Sequence, residues 1–190
     1  MKKVLLLMVI LSVTAVGCGT KTSSVAENAP DLAACVAGAP EWVMAGEAEG
    51  GISAVGDAKI GKAGLGFART EALAKARDEL ARTLSIKVNN MVKNFTQTTG
   101  IGDEETVDKV AASVSKQVAS QVISGSKQVG SWVSPCNDLY ILVAVDAQMA
   151  QEAITAQSVS SFKNDKALWQ QYIAEKGQEE LDEAVKELFQ

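Results

Sequence analysis

Cys18, Cys35 and Cys136 are the chain's three cysteines, and it has no histidine. Without an imidazole a Ser-His-Asp arrangement is impossible, and no G-x-S-x-G elbow is present. The cysteines lack the close spacings of a zinc site, so the sequence names no metal ligand. What remains is the covalent chemistry of sulfur: a thioether to a lipid, or a disulfide. Catalytic and cofactor-binding residues are expected to be absent.

Cys18 closes a leader with three recognisable parts. Lys2 and Lys3 hold the amino end on the cytoplasmic side, and an apolar core runs from Val4 to Val13, interrupted by Ser12. Small residues Ala15 and Gly17 then precede the thiol. A bilayer-spanning helix needs about 20 apolar residues, twice this core, so residues 1–17 read as a cleaved signal peptide. The run Ala15-Val16-Gly17-Cys18 resembles the bacterial lipobox, with Ala15 where leucine is usual. In that motif the cysteine receives diacylglycerol and the freed amine is acylated. Each buried methylene contributes ~0.8 kcal/mol, so three chains would anchor the protein durably. Gly19, in place of aspartate, favours sorting to the outer membrane. The competing reading is an ordinary secretory signal with Cys18 incidental.

An exported chain meets an oxidising compartment, which makes Cys35 and Cys136 an even pair and a disulfide the natural expectation. Two unpaired thiols are the alternative. Charge excludes another class of partner. The full chain has 18 basic and 23 acidic residues, and loss of the leader lysines brings its formal charge of −5 to about −7. Phosphate binding requires clustered positive charge, so nucleic acid is not an expected partner, and contact with anionic lipid is expected from the acyl chains alone.

Three clusters tempt a ligand reading. Gly61-Lys62-Ala63-Gly64-Leu65-Gly66 lies between a strand and a helix, yet it has neither the GxxxxGK[ST] nor the GxGxxG order, and it reads as a connector. Asp103, Glu104 and Glu105 resemble an acid–base group, but a helix start explains them. Trp42, Trp132 and Trp169 suit core anchoring better than an aromatic ligand surface.

The elements that carry these residues follow from period. Residues 18–40 hold Pro30, Pro40 and many small or polar side chains, and are expected to form a lipidated, largely disordered tether. The folded part opens at Pro40-Glu41-Trp42-Val43. Ile52 to Ala58 reads as a strand between glycines. Leu73, Ala76, Leu80, Leu84, Val88, Met91 and Phe95 draw one stripe down a helix over 66–97, with Glu71 and Lys75 as a surface pair. Val107, Val110, Val114, Val118 and Val122 mark a second helix over 103–124. Val129–Val133 and Leu139–Val145 flank the turn formers of 134–138, so a hairpin is expected, its apolar second arm either central or at an interface. Asp146 caps a helix over 147–160, and residues 161–190 form an acidic amphipathic tail. The expected fold is α+β: a small antiparallel sheet of about three strands, two long helices and C-terminal helices, with the main domain over 41–160.

The lipobox, the segment PEWV, the strand ISAVGDA, the helix EALAKARDELARTLSIKV and the hairpin SWVSPCNDLYILVAVD together resemble the LPP-twenty family of bacterial outer-membrane lipoproteins. The resemblance spans residues 40–150. It implies an α+β domain at the outer membrane, periplasmic or surface facing, with no catalysis and a structural or scaffolding role through protein contacts. Some relatives are similar to flagellar motility lipoproteins, which makes an accessory role at the flagellar basal body or outer-membrane ring the alternative, and an envelope small-ligand binder a second one. The apolar strand at 139–145 and the acidic tail also point to a homo-oligomer.

Overall fold

The computed structural model describes residues 31–46 and 52–189. Cys18 and its leader lie outside the described residues, as does most of the expected tether. The elements are α1 (Leu32–Cys35), α2 (Glu41–Ala45), β1 (Ile52–Lys59), α3 (Gly64–Thr99), α4 (Glu104–Ser124), β2 (Lys127–Val133), β3 (Asp138–Val145), α5 (Ala147–Lys163), α6 (Lys166–Ala174) and α7 (Gly177–Glu187). The α+β expectation holds, as an antiparallel sheet in the order β1-β3-β2 packed against long helices.

Strand β3 is apolar because it is central. Its inward residues Leu139, Ile141, Val143 and Val145 pair with Ala58, Gly56, Ala54 and Ile52 of β1, and the two sets make one buried face of period two. Helix α3 lies on that face through Ala68, Ala72, Ala76 and Leu80, all fully buried. The approach is close enough that a Cβ on Gly56 would overlap the Ala72 carbonyl and the Ala76 amide. Alanine on the helix and glycine on the strand are therefore one packing solution.

Thirty-six residues make α3 about 54 Å long, far longer than β1. Its distal half, Leu84 to Phe95, is buried against the other helices. Helix α4 packs along α3 with Ala111, Val114, Val118 and Val122 buried, and α5 packs on α4. Asp103 caps α4, accepting from the Thr106 amide at 3.1 Å and the Thr106 hydroxyl at 2.8 Å. The hydroxyl bond, then the amide bond, holds its carboxyl below the usual range. The acidic cluster at 103–105 is thus a helix start.

The C-terminal segment is two helices, both docked on their own chain. Asp165 opens α6 by accepting from the amides of Ala167 and Leu168. Tyr172 then sits among Phe95, Phe162 and Trp169, with ring centroids 5.3–6.4 Å away, and Leu181 and Val185 of α7 are buried. Ile173 is 60% exposed. Residues 31–189 form one compact unit.

Candidate functional site

The chemistry-bearing cysteines meet at the tip of the β2–β3 hairpin. Cys35 and Cys136, 101 residues apart, are joined as a disulfide with Cα atoms 5.1 Å apart. The loop receiving the bond is fixed from within. Ser134 is buried, and its Oγ accepts from the amides of Cys136 at 3.2 Å and Asp138 at 3.0 Å. Asn137 takes the left-handed conformation at φ 62°, which asparagine tolerates better than most residues. Lys59 at the end of β1 donates to the Cys136 carbonyl at 2.7 Å and pairs with Asp138 at 3.2 Å. The Ile60 amide donates to the Asn137 carbonyl at 2.8 Å, which fastens the β1–α3 connection to the same tip.

The segment leading from the disulfide forms a strap, which places residues 31–40 of the expected tether in ordered structure. Asp31 caps α1 through the Ala33 amide at 3.1 Å, and Cys35 is buried at the helix end. Alanine-rich residues 33–39 bury little surface themselves, and the covalent bond, invisible to periodicity, fixes them. Pro40 opens α2, and Gly46 closes it in the left-handed region. Trp42 lies over Gly130, where an added Cβ would stand 3.3 Å from the indole ring. Gly130 sits at an irregularity in the β2–β3 register, and Leu142, opposite it, is buried beneath. The strap thus lies on the sheet face away from α3, where Trp132 and Tyr140 also pair at 5.5 Å.

The other sequence candidates do not join this site. Trp169 belongs to the aromatic cluster of the tail, with the Lys163 ammonium 5.0 Å from its ring. Helix α3 starts at Gly64, inside the glycine-rich stretch, so 61–63 is a short connection between β1 and α3. Among the described residues no three potential ligands converge on a metal position. A groove of about 440 Å³ runs between α3 and α7, lined by Lys87, Asn90, Asn94, Thr98, Glu183 and Glu187, with no cysteine in it. No helix among the described residues is long and apolar enough to cross a membrane.

A three-stranded sheet under a long helix, with its amino-terminal strap sewn to the hairpin tip, defines a small α+β module. The model of the LPP20 lipoprotein family matches residues 40–146, over half of the chain, and the protein belongs to that family of envelope-associated lipoproteins. The match runs from Pro40, just before α2, to Asp146, the cap of α5, and so omits the C-terminal helices. No curated protein matches the chain.

Proposed function

We propose that the protein is a non-enzymatic lipoprotein held at the outer membrane by acyl chains on Cys18, which presents its α+β body to other envelope proteins in a structural or scaffolding role. Family membership, together with the lipobox ahead of the strap, carries this reading. The absence of histidine supports contact over catalysis, because the commonest general acid–base group is missing. The open edge of β2, with Val129 59% and Val133 46% exposed, offers a strand for such contact.

Intact mass of the native protein, together with fractionation of a Cys18→Ser variant, tests the anchor. Lipidation predicts a mass raised by diacylglycerol and one further acyl chain, and loss of the variant from the membrane fraction. A bare thiol, or full membrane retention of the serine variant, would overturn it.

A further inference from the structure

We propose that the end of the body formed by the β2–β3 turn, the β1–α3 connection and α1 docks on the phospholipid bilayer that holds the acyl chains. The proposal rests on the reading that Cys18 is lipidated. Chain length supplies the first argument. Cys18 lies thirteen residues before Asp31, a span of at most ~45 Å when fully extended. The disulfide makes Cys35, seventeen residues from the anchor, the point at which the amino-terminal segment is cross-linked to the body. Through Cys136 and the bonds of Lys59 and Ile60, the same mooring holds the β1–α3 connection.

Surface chemistry supplies the second. Eight large apolar side chains are exposed among the described residues, and four of them belong to this end: Leu32 at 75%, Leu65 at 53%, Phe67 at 61% and Val133 at 46%. Helical side chains lean toward the amino terminus, so Leu65 and Phe67, in the first turn of α3, lean off the end of the molecule. The other four, Met44, Ile86, Val129 and Ile173, are spread over four elements.

Charge agrees. In a chain of net negative charge, residues 58–68 contain no acid, and with Lys59 paired to Asp138 the stretch keeps the charge of Lys62. Nearby, Asp31 is occupied as a helix cap. Apolar side chains flanked by lysines suit the boundary between headgroups and acyl chains, where the lysine stems lie along apolar surface and the ammonium stays wet. The earlier expectation that acyl chains alone touch lipid followed from net charge, which does not describe this end.

The test uses the mature chain from Cys18, whose only free thiol is Cys18 once the disulfide is intact. It is coupled to maleimide-bearing lipid in vesicles of phosphatidylethanolamine and phosphatidylglycerol carrying a diazirine phospholipid. After illumination, lipid adducts are mapped by mass spectrometry. Adducts should concentrate on residues 31–35 and 59–67, about tenfold above α6 and α7, and Leu65→Ser with Phe67→Ser should lower the 59–67 adducts about tenfold, the effect of forfeiting ~1.4 kcal/mol of apolar burial. Both replaced side chains are exposed, so circular dichroism should match the parent. Adducts spread evenly over the body, or unchanged by the double substitution, overturn the proposal. Failure of natural lipidation is read separately from the native mass, since the coupled chain reports docking either way.

Discussion

Single side chains in this protein are legible in proportion to how local their partners are. Asp103 and Asp146 announce helix starts because their bonds reach amides three residues on. Tyr172 has no local signal for its environment, because its ring partners Phe95 and Phe162 come from other helices. Burial raises its phenol above the ordinary value near 10, with the charge of Asp182 adding to the effect, while its hydroxyl donates to Gln178 at 2.9 Å. A raised folded value means that the neutral ring stabilises the fold fully below the unfolded value, and that this contribution is lost as pH rises through the folded value. Phenolate absorbance should accordingly show a late-ionising component that Tyr172→Phe removes. If the substitution leaves the late part of the titration unchanged, the buried environment is wrong.

At the scale of elements, period was enough wherever an element has one wet and one dry face. The stripes of α3 and α4 gave their positions to within a few residues, and the alternation of β1 gave its strand. Contact order decided what period left open. Strand β3 is covered by α3 on one face and, at Leu142, by the strap on the other, and the acidic tail is satisfied by its own body through Leu181 and Val185. The two features that motivated an oligomer are thus both packed within the chain. The pairing of α3 with the sheet was hidden, since glycine in ISAVGDA reads locally as a weakness. Its purpose appears only with Ala72 and Ala76 against it. Gly56→Ala should therefore destabilise the domain by about 3 kcal/mol, the upper range for forcing atoms into a packed site, although alanine is a better strand residue. Urea denaturation followed by tryptophan fluorescence would measure this, and an unchanged midpoint would exclude the close approach.

The whole molecule is organised by a bond that no local pattern encodes. Compartment and cysteine parity pointed to the Cys35–Cys136 pair. Breaking it should cost about 2–4 kcal/mol, below the ~4.7 kcal/mol that chain entropy allows for a loop of this length. Comparison of oxidised protein with the Cys35→Ser, Cys136→Ser double variant in denaturant would measure the loss. The double variant should also release residues 31–46, read as faster amide hydrogen exchange in α2 and brighter solvent quenching of Trp42, while the α3–α4 core keeps its protection. Equal exchange in both proteins would mean that Trp42 and Leu142 hold the strap unaided.

The same bond also determines where mechanical load enters. Tension between the amino end and the carboxyl end passes from residue 35 directly to residue 136, so the polypeptide between them, including β1, α3, α4 and β2, is excluded from the covalent force path. A tug at the amino terminus loads the hairpin tip and β3, and cannot peel β1 from the sheet by pulling on its leading residue.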